Sequence, residues 1–96
     1  MEGKKVSGIE LDQYESKILG MLVHAETYET ILAEFKESPY ILGDCLRSLV
    51  RRKILRILEW DETSNSWRSR IIYDADKLKE YRYQLTSLGF AYLEQQ

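Results

Sequence analysis

Ninety-six residues with 44% hydrophobic and 31% charged side chains are enough for one core and too few for two, and this composition fits neither a disordered nor a membrane-embedded chain. The net charge of −2 and a pI near 5.4 announce no polyanionic partner. Apolar runs such as Met21-Leu22-Val23 and Ile71-Ile72-Tyr73 fall far short of the roughly 18 residues that cross a bilayer.

A single cysteine, Cys45, and a single histidine, His24, exclude an internal disulfide and a Cys/His zinc site. The same shortage leaves the common nucleophilic enzymes without their thiol–imidazole pair. We therefore expect no enzyme activity, no metal and no cofactor. The segment Met1-Glu2-Gly3-Lys4-Lys5-Val6-Ser7-Gly8 has no apolar stretch of secretory type, so a cytoplasmic protein with no membrane partner is expected.

Residues 1–11 read as an N-terminal arm and residues 12–96 as one domain. The first helix starts after Asp12, whose carboxylate forms an Asp-x-x-Glu capping box with Glu15. Its core stripe is Tyr14, Ile18, Met21, Leu22 and Ala25, at helical spacing. Thr27 caps a second helix that puts Tyr28, Ile31, Leu32 and Phe35 on one side and ends near Ser38. Ser38-Pro39 then opens a third helix, because serine caps and proline at the first helical position presets φ without losing a useful hydrogen bond. That helix runs to about Arg52. Leu42, Cys45, Leu46, Leu49 and Val50 form its apolar stripe, and Tyr40, Gly43, Asp44, Arg47, Ser48 and Arg51 its opposite face.

Past Lys53 the periodicity changes. Residues 54–60 and 67–73 are rich in β-branched and aromatic side chains and flank a polar stretch, 61–66, which predicts a hairpin. Asp74-Ala75-Asp76-Lys77 reads as a second turn or the start of a short helix, and residues 81–85 as a last strand. Thr86 caps a terminal helix over 87–94, in which Leu88 and Tyr92 with Leu85 face inward and Phe90 and Leu93 lie on another side that needs cover. The expected class is α+β.

Charge is distributed unevenly. Residues 1–46 hold four bases and nine acids, residues 47–70 seven bases and three acids, and residues 71–96 three bases and four acids. The basic middle segment consists of Arg47, Arg51, Arg52, Lys53, Arg56, Arg68 and Arg70, and arginine is the side chain best shaped for bidentate phosphate or guanine contacts. A solvated charged face is the plain alternative.

Three helices followed by a hairpin is the order of a winged helix-turn-helix domain. Cys45-Leu46-Arg47-Ser48-Leu49-Val50-Arg51-Arg52-Lys53-Ile54-Leu55 resembles a recognition helix entering a wing. Tyr83-Gln84-Leu85-Thr86-Ser87-Leu88-Gly89 is similar to the tyrosine-x-leucine-threonine-x-x-glycine signature of MarR and PadR regulators. The resemblance covers residues 12–96 with two departures. Lys53 stands where such families place glycine, and the stretch from Arg56 to Lys79 is long enough for an enlarged wing or an extra strand.

What the resemblance implies is a three-helix winged helix-turn-helix domain with a two- or three-stranded wing, acting as a transcriptional regulator on double-stranded DNA. The third helix would enter the major groove, with Arg47 reading a base and Gly43 allowing close approach. Tyr40 and Ser48 would touch phosphates or base edges, and Asp44 would orient Arg47 or accept from a cytosine. Arg51, Arg52 and Lys53 would clamp phosphates, and Arg56, Arg68 and Arg70 would supply wing contacts. A homodimer through Phe90 and Leu93 is expected. A small-molecule effector stays open. The rival is a winged-helix module for protein–protein contact, with Tyr40, Trp60 and Trp67 as anchors.

Overall fold

The computed structural model describes residues 11–95. Of the expected arm, residues 1–10 lie outside them, while Leu11 is half-buried and packs against the core. Helices begin where side chains close the free backbone amides. α1 (Gln13–Met21) opens with the reciprocal Asp12–Glu15 capping box, α2 (Tyr28–Phe35) follows Thr27 as cap, and α3 (Pro39–Arg51) follows Ser38 with proline in its first turn. α4 (Ser87–Glu94) is capped by Thr86. α2 ends three residues before the expected Ser38. Lys36 turns left-handed (φ 61°), and the residue before Pro39 is held extended. Lys17 closes the end of α2 from α1, donating from Nζ to the Phe35 carbonyl at 2.8 Å and lying over the Phe35 ring.

Four antiparallel strands make one sheet: β1 (Glu26–Thr27), β2 (Leu55–Asp61), β3 (Ser66–Arg70) and β4 (Arg82–Leu85), in the order β1-β4-β2-β3. β2 and β3 form the expected hairpin, closed by a tighter turn than the sequence suggests, with Asn65 left-handed (φ 56°) and Asp61 accepting from the Thr63 amide at 2.9 Å. β4 pairs with the other side of β2. The long stretch before β4 is therefore an extra strand, β3, followed by residues 71–80 and their 3₁₀ helix (Ala75–Glu80), inserted between two strands that are neighbours in space. β3 stops at Arg70, so residues 71–73 are not the strand that their composition predicts.

Leu55, Ile57, Tyr83 and Leu85 line the inner face of the sheet and join the core with Ile18, Leu19, Leu22, Ile31, Phe35, Leu42, Leu46 and Leu49. Strand alternation puts Arg56, Leu58 and Trp60 on the outer face, where Trp60 and Trp67 meet edge to face and the Arg82 guanidinium stacks on Trp67 at 4.5 Å. Cys45 is buried, and loss of solvation, reinforced by Asp12, Glu15 and Asp44, pushes its thiol up to about 11. No helix among the described residues is long and apolar enough to cross a membrane.

The terminal helix corrects one expectation. Leu88 is exposed alongside Phe90, whereas Leu93 packs in part against the core. Gly89 takes the inward place that Leu88 was expected to share with Tyr92.

Candidate nucleic-acid interface

The amphipathic split of α3 decides what it presents. Its apolar stripe is buried against α1 and α2, leaving Tyr40, Asp44, Arg47 and Arg51 along a solvent stripe at spacings of three and four residues. Tyr40 is 86% exposed. Arg47 is half-exposed and held by Asp44, Nη2 to Oδ1 at 2.6 Å.

Three of the residues expected on this surface are engaged elsewhere. Gly43 is buried: the Arg47 guanidinium folds back over it and Leu78 of the 3₁₀ helix packs beside it. Ser48 is half-buried, and its hydroxyl accepts from Arg52 at 2.9 Å. Arg52 turns inward, forming an ion pair with Glu15, which is 7% exposed. Adjacent side chains on a helix diverge by about 100°. Arg51 and Arg52 therefore face different sides, Arg51 toward solvent and Arg52 toward Glu15.

The exit of α3 is fixed without glycine. Lys53 adopts the left-handed conformation (φ 64°), its amide donating to the Val50 carbonyl and the Ile54 amide to that of Leu49, each at 2.9 Å. The Thr86 hydroxyl donates to the Lys53 carbonyl at 2.7 Å while accepting from the Gly89 amide, which ties the turn to the start of α4. This turn projects Lys53 outward between Arg51 and Arg56, both exposed. Lys53 lines one shallow groove with Arg47 and Arg51 and an adjoining one with Arg56 and Arg70.

Among the described residues, Arg51, Lys53 and Arg56 have no acidic partner; Arg56 donates only to Gln84. The hairpin arginines differ. Arg70 is paired with Glu59 at 2.8 Å and Arg68 with Asp61 at 3.7 Å, and hydrogen bonding from the Thr63 amide holds the Asp61 carboxyl below its usual range. Of the seven basic residues, then, three carry uncompensated charge. They sit together where α3 leaves the core.

Residues 71–80, to which the sequence assigns no interface role, run beside α3 from its C-terminal half to its N-terminus. Ile71 and Tyr73 flank Arg47, Val50 and Arg51, and the 3₁₀ helix flanks Tyr40, Gly43 and Arg47 across a groove of about 580 Å³. This strap is pinned at both sides of its turn. Tyr83 donates its hydroxyl to the Leu78 carbonyl at 2.6 Å, and the Tyr81 oxygen accepts from the Asp74 amide at 3.0 Å. Burial raises the Tyr83 phenol well above its ordinary range, which keeps it a donor. The only sequence signal was the unbroken apolar run Ile71-Ile72-Tyr73, which reads equally as a strand. Among the described residues no group of three or more His, Cys, Asp or Glu side chains is placed to hold a metal ion.

No protein-family model matches the chain, and neither the curated proteins nor the solved structures include a significant match to it.

Proposed function

We propose that the domain is a winged helix-turn-helix module that binds duplex DNA, with α3 as the recognition helix and the β2–β3 hairpin as an enlarged wing. The observation that carries the reading is the acid-free cluster Arg51, Lys53 and Arg56 at the exit of α3, continuous with Arg47 on the solvent stripe. Uncompensated cations placed around one end of an exposed helix suit a phosphate backbone, while Arg47 and Tyr40 on the same stripe face base edges. The element order supports it too: a short strand between the first two helices pairs with the last strand, and that strand pairs with the wing.

Affinity for a random-sequence duplex is expected to fall as salt rises, because each neutralised phosphate releases counterion with a slope of about 0.9. Substituting glutamine at Arg51, Lys53 and Arg56 together should flatten the slope by roughly two to three units. Equal slopes for wild type and triple variant in a fluorescence-anisotropy titration would remove the cluster from the interface, and no salt-dependent binding at all would remove the reading. Arg47→Ala should instead cost about 1–3 kcal/mol on a selected site and relax preference at one base pair.

The same reading makes the acting species a homodimer, since two recognition helices lengthen the site that is read. Leu88 and Phe90, each more than a third exposed on the two flanks of α4, are the exposed apolar residues the helix offers for it. Sedimentation equilibrium of wild type against Leu88→Glu/Phe90→Glu tests this: a dimer lost in the variant is expected, and a wild-type monomer at all concentrations would end it.

A further inference from the structure

β3 leaves its ladder at Arg70, opposite Ile57, and the chain is fixed again at Tyr73, which packs against the core and meets the Tyr81 ring edge-on. Only Ile71 and Ile72 lie between these anchors, and they are 94% and 88% exposed. Neither can withdraw into the core without breaking the ladder on one side or the ring contact on the other. The fold therefore displays them.

Their surroundings select a partner. Ile71 lines the groove that holds Arg47, Arg51 and Lys53, and also the one that holds Lys53, Arg56 and Arg70; no acidic residue lines either. An apolar tip inside a cationic collar is complementary to a polyanion that has apolar surface within reach of its charges. Duplex DNA offers this at its base steps, which a branched apolar side chain can part from the minor groove while arginine and lysine hold the flanking phosphates.

We propose that Ile71 and Ile72 are a wedge that inserts at a base step beside the site occupied by α3 and kinks the duplex. The inference rests on the DNA-binding reading above and adds to it a contact that deforms the DNA. The strap places the wedge correctly for this, because it runs alongside α3 and its basic exit. Flexible pyrimidine–purine steps are the preferred insertion points, since they unstack most easily.

The test uses the full chain and a duplex of about 30 base pairs with a dye at each end and 2-aminopurine beside a central TA step, long enough to show a bend of the size that wedges produce. Wild type is expected to shorten the end-to-end distance and raise 2-aminopurine emission as it binds. Ile71→Ala/Ile72→Ala should keep the salt slope, bind up to about tenfold more weakly and lose most of both signals. Ile71→Leu/Ile72→Met, which stays apolar, should retain them. Both alanine positions are solvent-exposed, so the variant folds.

An alanine variant that bends and unstacks the duplex like wild type overturns the wedge, as does a wild type that binds with neither signal; in both cases the DNA-binding reading stands. Failure of wild type to bind duplex at low salt overturns both. If wild type then binds phosphatidylglycerol vesicles and the alanine variant does not, the pair belongs to a membrane surface.

Discussion

Replacing Arg52 with alanine is expected to destabilise the domain by about 3–5 kcal/mol, while the same change at Arg51 should stay within about 0.5 kcal/mol. The difference follows from where each side chain lies. Arg52 meets Glu15 across 37 positions of sequence and also donates to Ser48, with both charged groups largely withdrawn from water. Removing the arginine leaves Glu15 buried with the Asp12 amide as its remaining donor, and an uncompensated buried carboxylate costs far more than the pair contributes. For a domain of this size that loss is a large part of the total stability. Glu15→Gln keeps the capping geometry, so combining it with Arg52→Met should recover most of the loss. Urea unfolding followed by circular dichroism gives the values. An Arg52→Ala variant as stable as Arg51→Ala would show the ion pair to be unimportant.

The second large effect is at Gly89, where alanine should destabilise by about 3 kcal/mol. A Cβ there would lie 2.3 Å from the Ile54 carbonyl oxygen and 2.9 Å from Leu85 Cδ2. The oxygen cannot move cheaply, because it accepts from the Thr86 amide and belongs to the turn that ends α3. Gly20 is the control. It is exposed in α1 with nothing within 4 Å of a new Cβ, so Gly20→Ala should stabilise by about 0.5–1 kcal/mol through helix propensity alone. Thermal or urea unfolding of the two variants should thus show opposite signs; the same sign for both would contradict the packing of α4 on the α3 exit.

Features legible in the sequence were those set by neighbours along the chain. Asp12 with Glu15, Thr27, Ser38 with Pro39, and Thr86 each satisfy amides within three residues, so helix starts could be read directly. The hairpin and the need for Lys53 to absorb a left-handed turn were local as well. What escaped was decided at a distance. β1 is only Glu26 and Thr27, too short for any periodicity, and exists because β4 offers an edge. Residues 71–73 have strand composition, but Tyr73 is drawn to Tyr81 and the ladder ends. Within the run of bases, adjacent arginines look alike in sequence; Glu15, far away in α1, decides that Arg52 is structural and Arg51 free. Gly43 looked like an opening on the α3 surface, and the strap that closes it could not be placed without the sheet order.

That sheet order has a dynamic consequence. β4 has a partner on each side and carries the fully buried Tyr83, whereas β3 has one partner and four of its five side chains exposed. Amide protons should therefore exchange in two classes. Those that β3 shares with β2 would be released by local opening, and those of β4 only when the domain opens as a whole. Native-state hydrogen exchange would resolve the two, and a β3 as protected as β4 would mean that the hairpin is braced by something further. With separate openings, the hairpin can change its twist and tilt against a partner of irregular shape at less than the cost of unfolding, while β4 keeps the helices in place.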